Sequence, residues 1–150
     1  MGVVYLIGDA TDVRDGFGLI LHIVNTLGSW GKGFVVPLGK RYPLAKKVYQ
    51  ESSKELGTVS FALCPNPPYG TVAVANLVAQ EGMGSKKNPP IRYPALRKAL
   101  ERLVSVMDCA GLKKAYLPRM GCGLAGGKWE LVEAELLRYP QVTWNVFDLP

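Results

Sequence analysis

Six short runs of β-branched and aromatic residues constrain this chain more than any other feature. They cover Val3 to Ile7, Leu19 to Val24, Val59 to Leu63, Thr71 to Val78, Lys114 to Leu117 and Val142 to Phe147. Runs of this length and composition form strands. Helical patterns fall between them at Gly33 to Lys40, Pro43 to Leu56, Arg92 to Ala110 and Lys128 to Arg138. Pro43 suits a first helical turn, and Gly57 and Gly111 suit left-handed helix ends. Leu96, Leu100, Leu103, Val104 and Met107 give the third helix an apolar face. The order strand, strand, two helices, two strands, helix, strand, helix, strand predicts a mixed six-stranded sheet with helices on both faces, a three-layer α/β/α domain. Asn66-Pro67-Pro68-Tyr69-Gly70 reads as the turn of one hairpin. Gln80 to Pro90, polar and proline-terminated, reads as a surface loop able to cover a ligand.

Length and charge narrow the function classes. The 150 residues, 48% of them apolar, fit one domain with a proper core. The net charge of +6 is spread over short clusters such as Lys40-Arg41, Lys46-Lys47, Lys86-Lys87 and Lys113-Lys114. Such mild basicity favours an anionic ligand and equally fits a solvated surface, so nucleic acid binding is not indicated. Cys64, Cys109 and Cys122 match neither a disulfide framework nor a zinc site, which points to a reducing cytoplasm and to no metal. The start of the chain has no basic segment, and no apolar run approaches the ~20 residues that span a bilayer. A cytoplasmic monomer without a cofactor or a membrane partner is expected.

Two glycine clusters carry the chemistry. Gly121-Cys122-Gly123-Leu124-Ala125-Gly126-Gly127 follows the fifth strand and opens the last helix. There, close backbone approach and unpaired N–H groups build a phosphate site. A Walker loop is ruled out, since Cys122 and Trp129 stand where it needs Gly and Ser or Thr. A C-x5-R phosphatase loop has Lys128 in place of the bidentate arginine. Gly121, Gly123 and Gly126 satisfy G-x-G-x-x-G with Asp148 downstream, yet no room remains for the other strands of a Rossmann unit. Gly28-Ser29-Trp30-Gly31-Lys32-Gly33 forms the second cluster, so a pyrophosphate between the two is a reasonable expectation.

Around these clusters several residues have two readings. Asn25 suits sugar hydroxyls or a turn. Trp30 covers either ligand or core. Asp9 accepts from a base amine or caps a turn. His22 reads as a core or wall residue more than a ligand contact. Cys122 has a lowered thiol pKa if it faces phosphate, and packing is the preferred role. Phe147 stacks on a base or caps the last strand.

Gly8-Asp9-Ala10-Thr11, His22-Ile23-Val24-Asn25, Gly28 to Gly33, Arg41-Tyr42-Pro43, Pro118 to Leu124 with Trp129, and Val146-Phe147-Asp148 together resemble a macrodomain nearly end to end. The likeness is to the branch holding the terminal ADP-ribose protein glycohydrolase and the yeast ADP-ribose 1''-phosphate phosphatase. The resemblance implies ADP-ribose in the cleft, with Asp9 on the adenine amine beside Ala10 and with Phe147 near the adenosine. Gly121, Cys122, Gly123, Leu124, Ala125 and Gly126 would surround the pyrophosphate. His22, Asn25, Gly31, Lys32 and Gly33 would lie around the distal ribose. Two positions depart from the glycohydrolase: Gln80 stands where it has its lysine, and Ala125 where it has its aspartate. The implied activity is removal of ADP-ribose from glutamate or aspartate of a modified protein, without a lysyl adduct, with Asn25, Trp30 and Gln80 positioning ribose and water. A phosphatase acting on ADP-ribose 1''-phosphate and a non-catalytic ADP-ribose reader are the alternatives.

Overall fold

The computed structural model describes residues 2–82, 90–122 and 126–150. The expected α/β/α layering is present. The strands are β1 (Gly2–Ile7), β2 (Phe17–Asn25), β3 (Val59–Asn66), β4 (Gly70–Gln80), β5 (Lys114–Pro118) and β6 (Thr143–Asp148). The helices are α1 (Val35–Arg41), α2 (Pro43–Glu51), α3 (Tyr93–Ala110) and α4 (Trp129–Leu136). They build one sheet in the order β1-β6-β5-β2-β4-β3. All neighbours pair in parallel except β3 with β4, the expected hairpin, whose turn closes with Tyr69 N–H donating to Asn66 O at 2.7 Å.

Alternation along the strands sorts the core into two layers. Leu19 and Leu21 of β2 face α3 and α4 together with Ala115, Leu117, Trp144 and Val146, and the α3 residues named above fill that side. Ile20 points the other way with Val72, Val74 and Tyr116, against Leu38 of α1 and Ala45 of α2. Central β4 is buried from Val72 to Ala79, as a strand covered on both faces must be.

Helix α2 stops at Glu51, short of the expected Leu56. Ser52 is extended and its hydroxyl donates to Val48 O at 2.5 Å, satisfying a carbonyl that another helical turn would have used. Two tyrosines then tie this helical region to the loops at the strand ends. Tyr42, the residue before α2, donates to Thr11 O at 2.7 Å, and Tyr49 donates to Asn25 O at 2.6 Å.

Candidate active site

Five of the six strands run parallel, so their carboxyl ends share one edge, where loops rather than helices meet solvent. The register brings Ile7 level with Asp148, Pro118 level with Phe147, and Asn25 level with Gln80. A cavity of about 430 Å³ opens on this edge between the loop after β2 and the loop after β5. Residues distant in sequence form its wall: His22, Asn25, Gly31, Lys32, Gly33, Gln80 and Gly121 from the expected set, and Ile23, Phe34, Val35, Arg119 and Met120 besides. Among the described residues, Lys32 and Arg119 are the charged ones lining it, and no carboxylate joins them.

Asn25 holds the loop after β2 in shape. Its Oδ1 accepts from Leu27 N–H at 2.9 Å, Ser29 N–H at 3.2 Å and the Tyr49 hydroxyl at 2.9 Å, while Nδ2 donates to Ser29 O at 3.2 Å. The amide carries a second N–H that has no partner among the described residues. Both sequence readings of Asn25 therefore meet in one side chain: it makes the turn and still presents a donor in the cavity wall. Gln80, on the neighbouring strand, gives one amide bond to Gly82 O at 3.2 Å.

Trp30 takes the other side of its loop. Ser29 and Gly31 line the cavity, whereas the indole packs beneath α1 and α2, 5.2 Å from the His22 ring and 5.8 Å from Tyr49. Space for it comes from Gly39, where a β-carbon would lie 2.6 Å from Trp30 Nε1. Its place is under the loop after β2 rather than in the cavity wall.

His22 is buried and neutral. Asn76 donates through Nδ2 to Ala45 O and to Ser60 Oγ, both at 3.2 Å, so its Oδ1 faces the imidazole and accepts from His22 Nε2–H at 2.6 Å. That bond fixes the tautomer and leaves Nδ1 as an acceptor. Burial lowers the imidazole pKa from 6.5 to about 4, against a smaller opposing pull from Asn76. The unfolded chain takes up this proton near pH 6.5 and the folded protein only near pH 4. Stability should thus be full above about 6.5 and decline as pH falls to about 4, by on the order of 3 kcal/mol. Urea midpoints measured across this window should drop for the wild type and flatten in His22→Gln. An equal slope in the variant would assign the acid sensitivity to another group.

The loop after β5 closes on itself. Gly121, in the left-handed region at φ 77°, accepts from Gly127 N–H at 2.7 Å, and Lys128 N–H donates to the Tyr93 hydroxyl at 2.9 Å. Gly123, Leu124 and Ala125, expected at the phosphates, lie outside the described residues. Cys122 is turned to the core: its thiol donates to Met120 O at 3.5 Å, and burial raises its pKa above the ordinary value despite Arg119 nearby. This geometry gives the thiol no activation as a nucleophile. Gly126 is solvent-exposed.

Asp9, Ala10 and Phe147 sit outside the cavity wall, toward β1 and β6 on the same edge. Asp9 Oδ1 accepts from both Thr11 N–H and the Thr11 hydroxyl at 2.8 Å, and its second carboxylate oxygen has no partner among the described residues. Phe147 stands between Gly8 and Tyr116, with ring centroids 6.2 Å apart for the aromatic pair. Ala10 is buried.

Arg119 is the charged group that sequence reasoning left without a role. Its guanidinium grips Asp148 bidentately at 2.7 and 3.0 Å and lies 5.0 Å from the Tyr5 ring and 5.5 Å from that of Trp129. The Trp129 indole donates to the Tyr5 hydroxyl at 2.8 Å, and that hydroxyl donates to Glu133. A cation is thus fixed at the cavity rim beside the loop after β5. Asp148, offered by its spacing for a ribose hydroxyl, is occupied by this arginine. Among the described residues no three His, Cys, Asp or Glu side chains converge as a metal site, and no helix is long and apolar enough to cross a membrane.

No family model matches the chain. The solved structure of a macrodomain protein from Streptomyces coelicolor is 34% identical, with 97% of this chain and 98% of that one covered and a TM-score of 0.78. The chain belongs to the macrodomain family. A protein of unknown function from Bacteroides thetaiotaomicron matches at 36% identity over 99% of this chain and 98% of its own, with a TM-score of 0.85. ADP-ribose 1''-phosphate phosphatase of Lodderomyces elongisporus is 26% identical over 98% of each chain. In this macrodomain the cavity wall at the end of β4 holds Gln80, which cannot form a lysyl adduct.

Proposed function

We propose that this macrodomain binds ADP-ribose along the carboxyl edge of its sheet and hydrolyses its ester to glutamate or aspartate side chains at the distal ribose. The observation that carries the reading is a cavity wall that holds Lys32 and Arg119, the latter paired with Asp148, which does not line it, and among the described residues no carboxylate. Such a wall attracts a pyrophosphate and stabilises an acidic leaving group, and it offers no general acid. An acyl ester needs none: water adds to the anomeric carbon, its C–O bond to the acyl group breaks, and a carboxylate departs already stable as an anion. Asn25 and Gln80 position ribose and water from adjacent strand ends, and Trp30 supports the loop that carries Gly31 to Gly33. The loop after β5 takes the phosphates, while Asp9 and Phe147 take the adenosine end.

The phosphatase name carried by the Lodderomyces relative favours a second reading. Loss of phosphate from ADP-ribose 1''-phosphate also leaves an acidic group departing from the same carbon, so the same wall serves it. Incubation with a peptide mono-ADP-ribosylated on glutamate and, separately, with ADP-ribose 1''-phosphate tests both. The expected result is free ADP-ribose from the peptide, followed by chromatography. Inorganic phosphate from the second substrate alone would replace the ester hydrolase with the phosphatase. Binding with no turnover of either would make the protein a reader.

A further inference from the structure

Beyond the rim of the cavity lies a second depression, of about 280 Å³, between α1 and α2. Val35 belongs to both walls, so the two depressions adjoin. Trp30, Val36 and Pro43 line the groove, and Lys40 and Lys46 stand at its sides. Both lysines are exposed, and neither has a salt bridge among the described residues. Along α1 and α2 the charged residues are Lys40, Arg41, Lys46, Lys47 and Glu51. Arg41 is already paired with Asp12 at 3.1 Å, and Lys47 does not line the groove, which leaves Lys40 and Lys46 as the unpaired cations of its walls among the described residues. The Trp30 indole N–H, in the groove wall, is buried and has no partner among the described residues.

Resting on the function proposed above, we infer that this groove seats an acidic stretch of the ADP-ribosylated protein next to the modified residue. A group attached to the distal ribose leaves the cavity past Gly31 to Val35, and Val35 hands it directly to the groove. What it meets there is an apolar floor flanked by two uncompensated positive charges. A strand of peptide carrying carboxylates on either side of an apolar residue complements that surface. Two exposed lysine–carboxylate pairs improve affinity by about fivefold at low salt, and screening removes the gain as ionic strength rises.

Three peptides mono-ADP-ribosylated on one glutamate test this, with acidic, neutral or basic flanks, each titrated calorimetrically beside free ADP-ribose and each followed for ADP-ribose release. The wild type should bind the acidic-flanked peptide about fivefold more tightly than the neutral one. Lys40→Glu/Lys46→Glu should reverse the order, and Lys40→Ala/Lys46→Ala should abolish it, with affinity for free ADP-ribose unchanged in both. Equal affinity for all three peptides would overturn the groove assignment, whatever the turnover. A flank preference without release would uphold the groove and remove the hydrolase reading. Tighter, lysine-dependent binding of an ADP-ribosylated oligonucleotide than of the acidic peptide would overturn the peptide in favour of nucleic acid.

Discussion

Gly127→Ala is expected to lose tenfold or more in ADP-ribose affinity and to unfold at a measurably lower temperature. A β-carbon there would lie 2.4 Å from Gly121 O, 3.0 Å from Ile91 Cδ1 and 3.2 Å from the Tyr93 hydroxyl. The first contact decides the outcome. Ile91 and Tyr93 can shift a side-chain end, but Gly121 O is backbone and accepts the Gly127 N–H bond that joins the two ends of the loop. Relief requires these ends to part, and the loop that the proposed function assigns to the phosphates is then reshaped at its base. Overpacking of this kind costs roughly 1–3 kcal/mol in stability. Gly111→Ala supplies the control: Gly111 sits at positive φ, has nothing within 4 Å of its added β-carbon, and caps α3 before the start of β5, whereas the loop follows that strand's end. It should lower stability by about 1 kcal/mol and leave the affinity alone. Calorimetric titration with thermal melts on both variants distinguishes the effects. Unchanged affinity in Gly127→Ala would detach the loop from the ligand.

The strands were legible because their signal is local. A run of apolar residues marks a strand buried on both faces, as Leu19, Ile20 and Leu21 do, and no distant partner is needed to see it. Their order was not legible, since β6 slots between β1 and β5 through pairings that span most of the chain. The glycine loops could be found for the same local reason, while the direction of Trp30 could not. It depends on Gly39, nine residues later, where the missing side chain makes room for the indole. Arg119 escaped notice because its role is assembled from Asp148 on β6, Tyr5 on β1 and Trp129 on α4. For Cys122, nearness to a helix start suggested a lowered pKa should it face phosphate, but the core around it contributes a larger and opposite effect. The sequence places a residue near a helix end; only packing decides whether its side chain turns toward water or away.

Asn25→Ala is expected to slow ester hydrolysis by about a hundredfold while weakening ADP-ribose binding by less than tenfold, an asymmetry that follows from how its amide is divided. Three of its four hydrogen bonds go into Oδ1 and shape the loop, and the Nδ2 bond to Ser29 O completes that turn. Removing the side chain leaves Leu27 and Ser29 N–H groups without this acceptor and costs about 1–3 kcal/mol. Tyr49 keeps its 2.6 Å bond to Asn25 O, so the loop remains tethered to α2. The remaining N–H is the one able to orient ribose or water, and its loss falls on the reacting arrangement. Asn25→Asp largely separates the two roles: its carboxylate keeps the three acceptor contacts, gives up the bond to Ser29 O and has no N–H to give. It should retain more stability than Asn25→Ala and still lose turnover, because the loop survives and the donor does not. Steady-state rates on the glutamate-linked peptide, measured beside titrations with ADP-ribose, read the two quantities independently. Equal losses in rate and binding for Asn25→Ala, or full turnover in Asn25→Asp, would confine Asn25 to holding its loop and shift the positioning of water to Gln80.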